Sequence, residues 1–193
     1  MPDLSGLVLD ATQHESILQP EGDFWLFAYG SLMWNPEFSF LRSETARLHG
    51  YHRRLCLWSV EHRGTFEHPG LVMGLDRGGS CHGQAFLIAE ADAPNIIDRL
   101  NHREMITGAY RSAIKTLRLG CGEQVSGVCL IARRNHPQYA ANLDHQTTIE
   151  CVRAAQGGRG SNREYVLNTT RSLQQMGMRD SRLEAIAADL APG

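Results

Sequence analysis

The sequence predicts an α+β fold, in which a strongly bent sheet or small mixed barrel is packed by helices. Strand-like segments fill most of the first two thirds of the 193 residues, one helix interrupts them, and the last third is helical. The chain lacks the regular alternation of strand and helix that a doubly wound parallel sheet needs. Its length suits one domain over residues 23–193, and residues 1–22 are predicted to form an N-terminal arm.

The predicted strands are short apolar runs bounded by glycine or by polar clusters. FWLFAY at 24–29 is the clearest of them, because Gly30 closes it. Arg77-Gly-Gly-Ser80 is predicted to be a hairpin turn between two later strands. The predicted strands lie at 24–29, within 45–60, and at 71–76, 83–89, 110–119 and 124–132.

One helix is predicted after the strand at 83–89. Asp92 is a suitable N-cap, and Pro94 suits the first turn. Ile97, Leu100 and Glu104 follow at helical spacing and therefore share one face.

Capping boxes predict three more helix starts in the last third. In each of them a serine or threonine precedes a glutamate by three residues. Gly157-Gly158 and Gly177 are predicted to end the first two of these helices. The boxes are Thr147…Glu150, Ser161…Glu164 and Ser181…Glu184.

Composition excludes several classes of function. A net charge of −2 gives no electrostatic footprint for nucleic acid or for an anionic membrane. No apolar run approaches the roughly 18 residues of a membrane-spanning helix. The N-terminal residues lack the features of a signal peptide, so a cytoplasmic location is the default expectation. Five widely spaced cysteines without a Cys-x-x-Cys motif favour free thiols over disulfides or a zinc site.

Two features of the chain are suited to chemistry. Tyr29-Gly30-Ser31-Leu32 follows a buried strand, so its backbone amides are available for a carboxylate or an oxyanion. A simple strand-to-loop turn is the alternative. Glu104 lies on an apolar face at a helix C-terminus, where burial and the helix dipole both favour the neutral acid, as general acid–base catalysis requires. An ion pair with Arg103, Arg99 or a more distant arginine is the alternative for Glu104.

Other candidate sites are weaker. His49 and His52 would point to opposite faces of a strand, and no His-Glu-x-x-His motif is present, so no metal site is expected. Adjacent Cys81 and His82 cannot pair as nucleophile and base for the same geometric reason. Residues 157–160 precede a helix and are a weak candidate for anion binding.

Four blocks, in the same order, resemble the ChaC-type γ-glutamylcyclotransferases, a family often called glutathione-specific. The blocks are FAYGSLMWNPEF at 27–38, GYHRRLCLWSVEHRGTFEHPGLVMGL at 50–75, REMITGAYR at 103–111 and GGRGSNREYVLNTTRSLQQMGMRD at 157–180. The resemblance extends over about residues 24–190. Four ordered blocks are far more specific than any one of them.

The resemblance implies a mixed-strand barrel packed by helices, and it assigns roles to particular residues. Glu104 would be the catalytic base and acid. Ala28 stands where the family often has glycine, so its methyl group would narrow the pocket slightly. The resemblance places Tyr110, Tyr165 and Arg54 in family blocks as further substrate-binding candidates. The substrate-binding loop would comprise Phe27, Ala28, Tyr29, Gly30, Ser31 and Leu32.

The implied reaction is a lyase-type cyclisation of a small-molecule substrate. The α-amine of a γ-glutamyl compound attacks its own γ-carbonyl, forms 5-oxoproline and releases the remainder, which is Cys-Gly when the substrate is glutathione. Glu104 would take the amine proton and return it to the leaving nitrogen. No cofactor or metal is needed, because nucleophile and electrophile belong to one molecule. Other γ-glutamyl amino acids or amines are alternative substrates, and a non-catalytic regulatory protein linked to cation transport is the alternative to an enzyme.

Overall fold

A computed structural model describes residues 3–140 and 143–191. The barrel strands are β1 (Phe24–Ala28), β2 (Arg42–Ser59), β3 (Gly70–Ile88), β4 (Tyr110–Leu119) and β5 (Gln124–Ala132). They form a closed barrel in the order β1-β3-β2-β4-β5, which the parallel pairing of β1 with β5 completes. The helices in this part of the chain are α1 (Ala93–Glu104), α2 (His145–Ala154), α3 (Asn162–Gln175) and α4 (Ser181–Leu190), and a small ribbon of β6 (Gln156–Gly157) and β7 (Gly160–Ser161) joins α2 to α3. The predicted α+β class is confirmed.

The predicted hairpin at Arg77-Gly-Gly-Ser80 is wrong, because β3 runs through this segment as one strand. β2 pairs antiparallel with β3 on both sides of the segment. Gly78 and Gly79, with φ of 100° and 68°, lie opposite Gly50 where the register shifts. Two residues opposite one form a β-bulge, which bends the paired strands. These glycines therefore curve the sheet and do not reverse the chain.

The helix after β3 and the start of α3 agree with the predictions. α1 begins directly after Asp92 and has Pro94 in its first turn. Ser161 Oγ accepts a hydrogen bond from the Glu164 amide at 3.2 Å and caps α3. The start of α3 follows the ordinary chemistry of a capped helix. The Asp92 side chain makes no capping hydrogen bond, so at α1 only the position of Pro94 follows the expected pattern.

The other two helices begin earlier than their capping boxes predicted. Asp144 accepts a hydrogen bond from the Thr147 amide, and Asp180 accepts one from the Leu183 amide. The predicted caps Thr147 and Ser181 are therefore wrong. An aspartate side chain caps a helix as well as serine or threonine does, and here an aspartate precedes each predicted cap.

Gly157 has a different role from the predicted helix stop. α2 ends at Ala154, and Gly157 lies in the ribbon against residues 61–64. A Cβ on Gly157 would lie 2.5 Å from the Glu61 carbonyl oxygen, so only glycine permits this approach. Gly177, with φ of 68°, follows α3 and ends it as predicted.

The two faces of the sheet pack against different helices. Phe27 and Tyr29 belong to an apolar cluster that includes buried residues of α2, α3 and α4. Leu26 and Ala28 belong to a second cluster, which includes the apolar face of α1. Alternate residues of β1 thus enter different layers, as the two-residue period of a strand requires. The chain that leaves β1 therefore emerges between α1 and α3.

The segment before β1 packs on the body of the protein. Ile17 is buried, and its amide donates a hydrogen bond to Asn101 Oδ1 at 2.8 Å. The Leu18 amide donates to Ser112 Oγ at 3.0 Å. The division into an arm over 1–22 and a domain over 23–193 stays a prediction.

Asp76 anchors the loop at 133–140, which follows β5. Its carboxylate accepts hydrogen bonds from Arg134 Nε at 2.6 Å and from the Tyr139 hydroxyl at 2.7 Å. Arg54 Nη1 lies 3.3 Å from the same carboxylate. Burial alone would raise the pKa of Asp76, but the hydrogen bonds from Arg134 and Tyr139 outweigh burial and lower the pKa from 3.8 to about 2.

The lowered pKa predicts a loss of stability in acid. Because the folded-state pKa of Asp76 lies below the unfolded value, its contribution is fully present above about pH 4 and is lost as the pH falls towards about 2. We expect this group to account for about 2 kcal/mol of unfolding free energy over that range. Urea unfolding of the wild type and of Asp76→Asn, at about pH 5 and about pH 2, should show a smaller acid loss in the variant. Equal losses in both proteins would contradict the assignment.

Candidate active site

The chain turns at Gly30 as it leaves β1 and enters a short 3-10 turn at Ser31–Met33. A Cβ on Gly30 would lie 3.2 Å from the Tyr165 hydroxyl oxygen and 3.5 Å from Met73 Cβ. Glycine is therefore favoured here by the close approach of α3 and β3. The loop predicted to bind substrate lies directly against Tyr165.

The backbone amides of this loop are available to a ligand. No described residue accepts a hydrogen bond from the amides of Gly30, Ser31 or Leu32, whereas the next amide, of Met33, donates to the Gly30 carbonyl at 3.0 Å. Consecutive unpaired amides at a strand end suit an anion or a developing oxyanion. The turn considered as an alternative is also present, but it uses only the amides that follow.

Arg103 ties this loop to the end of α1. Its side chain is 8% exposed. It donates hydrogen bonds to Ser31 Oγ at 2.9 Å, to the Asn35 carbonyl at 2.8 Å and to Glu37 Oε2 at 2.8 Å. Arg103 Nε also lies 3.1 Å from Glu104 Oε1. The ion pair considered as an alternative for Glu104 is thus present, and it holds the carboxylate beside the loop.

Glu104 lies where two adjoining cavities meet. The smaller cavity, of about 30 Å³, is lined by Phe27 to Leu32 together with residues of β3, β5 and α3. The larger cavity has a volume of about 370 Å³. Ser31, Glu104, Tyr110 and Tyr165 line both cavities. The Glu104 side chain is 17% exposed, so a ligand can reach the carboxylate while most water is excluded.

Three buried tyrosines lie near the Glu104 carboxylate. Tyr29 and Tyr110 donate their hydroxyl protons to backbone carbonyls at 2.7 Å and 2.6 Å. Burial raises the pKa of Tyr29, Tyr110 and Tyr165, and the nearby negative charge of Glu104 raises each pKa further. All three hydroxyls therefore stay protonated near neutral pH.

Tyr165 differs from the other two tyrosines because its hydroxyl oxygen acts as an acceptor. The Met73 amide donates to this oxygen at 2.9 Å. In the part of the chain that the structure describes, the Tyr165 hydroxyl proton has no acceptor of its own. This hydroxyl can therefore donate to a ligand, whereas Tyr29 and Tyr110 already bind the protein backbone.

The site occupies a gap in the pairing of β3. At Leu71 and Met73, β2 pairs with one edge of β3, and side chains bind the other edge. Asn162 accepts from the Leu71 amide at 2.6 Å and donates to the Leu71 carbonyl at 2.7 Å. The Met73 amide and carbonyl bind the hydroxyls of Tyr165 and Tyr110. Because side chains replace a strand at this edge, the cavities have room between the helices and the sheet.

Arg63 and Trp34 also line the larger cavity, and sequence reasoning did not predict them. The Arg63 guanidinium lies 5.9 Å from the centroid of the Trp34 ring and 5.4 Å from that of Tyr165. Burial lowers the pKa of Arg63. The only sequence signal for either residue is its place in the blocks at 50–75 and 27–38, because no periodicity or motif distinguishes them.

Arg54 is not brought together with the other predicted residues. It lines neither cavity, and it pairs with Asp76. Ala28 lines the smaller cavity, but it packs with the α1 layer on the opposite face of β1 from Tyr29. Substrate binding by Arg54 and an effect of the Ala28 methyl group stay predictions.

The remaining candidate chemistries find little support in the geometry. Cys56, Cys81 and Cys129 are buried free thiols. Burial raises the pKa of Cys56 and Cys129 to about 12, so neither forms the reactive thiolate at neutral pH. Within residues 3–140 and 143–191, no group of three or more His, Cys, Asp or Glu side chains is placed to hold a metal ion. No helix in the described ranges has the length and apolar character to cross a membrane.

Known proteins resemble this chain over most of its length. It is 37% identical over 163 residues to the glutathione-specific γ-glutamylcyclotransferase of Escherichia coli strain K12, and the aligned region covers 84% of this chain and 71% of that protein. It is 30% identical over 168 residues to glutathione-specific γ-glutamylcyclotransferase 1 of Mus musculus, and the aligned region covers 84% of this chain and 75% of that protein. A crystal structure of a yeast γ-glutamyl cyclotransferase specific to glutathione shares the fold, with a TM-score of 0.82 at 20% identity over 88% of this chain and 96% of that one. The family model described as ChaC-like protein matches residues 24–191, and the chain therefore belongs to the ChaC-like family.

Proposed function

We propose that this protein is a γ-glutamylcyclotransferase that cleaves glutathione to 5-oxoproline and Cys-Gly. The observation that carries the proposal is the meeting of Glu104 with the unpaired amides of Gly30, Ser31 and Leu32 at one cavity. A binding protein for a γ-glutamyl group would need the amides, but it would have no use for a partly desolvated carboxylate beside them. The names of the Escherichia coli and Mus musculus relatives support glutathione as the substrate.

Glu104 serves as the base and then as the acid. It takes a proton from the substrate's α-ammonium group, and the freed amine attacks the γ-carbonyl carbon to give a tetrahedral intermediate. Glu104 then gives this proton to the leaving nitrogen, and the carbon–nitrogen bond breaks as the oxyanion re-forms the carbonyl. The ring nitrogen gives up its second proton, which Glu104 passes to the released amine, and 5-oxoproline is complete. The proton count balances, so no other reactant is needed.

The loop at 30–32 holds the substrate in the bent shape that this attack requires. Its amides bind the α-carboxylate, which fixes the amine near the γ-carbonyl and removes much of the entropic barrier. The Tyr165 hydroxyl, with its unused proton, stabilises the oxyanion of the intermediate. The α-carboxylate then enters the smaller cavity, and the rest of the substrate, with its leaving peptide, lies in the larger one. The expectation of a cytoplasmic location stays a prediction.

Incubation of the purified protein with glutathione tests the proposal. We expect 5-oxoproline and Cys-Gly to appear in equal amounts, as measured by chromatography with mass detection. γ-Glutamyl-alanine and γ-glutamyl-ε-lysine, supplied at the same concentration, should be converted more slowly. Absence of 5-oxoproline from all three compounds would refute the proposed reaction, and faster conversion of either of the other two would refute glutathione as the preferred substrate.

A further inference from the structure

Gln138 places an unused hydrogen-bond acceptor in the wall of the larger cavity. The residue is 4% exposed and lines that cavity. Its Oε1 atom is buried and has no hydrogen-bond partner among the residues the structure describes. Such an atom destabilises the unliganded protein and is rare in folded proteins, so its presence calls for a physical reason.

Trp58 fixes the orientation of the Gln138 side-chain amide. Gln138 Nε2 donates to the Trp58 carbonyl at 2.7 Å, and the Trp58 amide donates to the Gln138 backbone carbonyl at 2.8 Å. If the two ends of the side-chain amide were exchanged, Oε1 would face the Trp58 carbonyl oxygen, and two acceptors cannot form a hydrogen bond. Oε1 is therefore the end without a partner. Because Gln138 lines the larger cavity and Trp58 already binds Nε2, Oε1 is the side-chain atom left to bind a ligand there.

The loop that carries Gln138 is anchored on both sides. Tyr139 and Arg134 donate hydrogen bonds to Asp76, and the Ala140 amide donates to the Cys56 carbonyl at 2.8 Å. The acceptor therefore has a fixed place relative to the barrel. Gln138 lines the larger cavity and not the smaller one. In the proposed reaction, the larger cavity receives the leaving part of the substrate.

We propose that Gln138 Oε1 accepts a hydrogen bond from the second peptide N–H of a γ-glutamyl tripeptide, and so favours glutathione over γ-glutamyl dipeptides. The inference rests on the proposed cyclotransferase reaction. In that reaction the α-amine is the nucleophile, and the scissile nitrogen is served by Glu104. Apart from the weakly donating thiol, the glycyl N–H is the donor that remains in the leaving peptide. A neutral amide oxygen suits this neutral donor.

The test compares three substrates by kcat/KM. They are glutathione, γ-glutamyl-cysteine, and a glutathione analogue in which an ester replaces the cysteinyl-glycine amide, so that only the second N–H is lost. We expect the wild type to prefer glutathione to the ester by about tenfold. Gln138→Met should lose about tenfold on glutathione and less than about twofold on the other two, because the removed acceptor and the removed donor belong to one bond.

Gln174→Met is the matched control, since Gln174 is exposed on α3, and it should leave all three values unchanged. An equal loss on all three substrates in Gln138→Met would show a purely structural role or a trapped water, and would overturn the inference. A wild type that treats the amide and the ester alike would also overturn it, without need of any variant. If the wild type converted none of the three, the proposed function itself would fail.

Discussion

Replacing Glu104 with glutamine should lower kcat/KM for glutathione by roughly 10³-fold and leave the fold intact. Glutamine has almost the same shape as glutamate, and Arg103 keeps its hydrogen bond to Ser31, so the end of α1 keeps its contact with the loop at 30–32. What disappears is the group proposed to remove a proton from the α-ammonium and return it to the leaving nitrogen. The loss should therefore fall on kcat more than on KM. Release of 5-oxoproline measures turnover, and thermal unfolding measures the fold.

Glu61→Gln provides the matched control for this change. Glu61 also lines the larger cavity, but its side chain is exposed. Removing its charge alters the electrostatic environment of the cavity without touching the proposed proton transfer, so activity should stay within about twofold. If Glu104→Gln kept more than about a tenth of the wild-type turnover, or if Glu61→Gln lost as much, Glu104 would not be the base.

Replacing Arg103 with methionine should destabilise the protein by about 2 kcal/mol and lower kcat/KM by roughly 10²-fold. Methionine preserves much of the apolar stem but removes the hydrogen bonds that the guanidinium donates to Ser31, Asn35 and Glu37. Glu104 would also lose the guanidinium beside it. The loop and the Glu104 carboxylate would then no longer share one support, and the proposed reaction depends on their relative position. Urea unfolding and glutathione turnover measure the two effects.

Arg159→Met is the control for the stability effect. Arg159 Nη1 lies 3.2 Å from the same carboxylate oxygen of Glu37, but the arginine side chain is 41% exposed. An exposed ion pair contributes at most about 1 kcal/mol, so this variant should unfold almost as the wild type does. Equal destabilisation by the two substitutions would mean that the charge of Glu37, and not the buried network of Arg103, is what matters.

Local patterns in the sequence were enough for the parts of the fold that local chemistry controls. The strands at 110–119 and 124–132 have the bounds of β4 and β5, and Asp92 with Pro94 located the start of α1. The glycine pair at 78–79 led to the wrong prediction of a hairpin turn, because a bulge and a hairpin turn need the same backbone freedom. Only the pairing partner distinguishes them, and that partner, Gly50, is distant in the chain.

The candidate site, like the fold, could be predicted from the sequence only in part. Helical spacing put Glu104 on a buried face, and the ordered blocks connected it with the loop at 29–32. Neither argument could find Gln138, because its significance lies in a missing partner, which only the packed structure reveals. Arg54 shows that a place in a matching block does not by itself put a residue at the cavities. It lies in a matching block, yet in the structure it pairs with Asp76 and lines neither cavity.

The substitution of side chains for a strand beside Leu71 and Met73 also bears on self-association. A strand edge with unpaired amides and carbonyls is a template on which another chain can add, and natural proteins cover such edges. Here Asn162 and Tyr165 of α3 provide that cover, together with Tyr110. A chain shortened before α3 would therefore lose more than a hydroxyl at the active site. Its backbone amides and carbonyls at this edge would be open to pairing with neighbouring chains, and it should aggregate before it could be assayed.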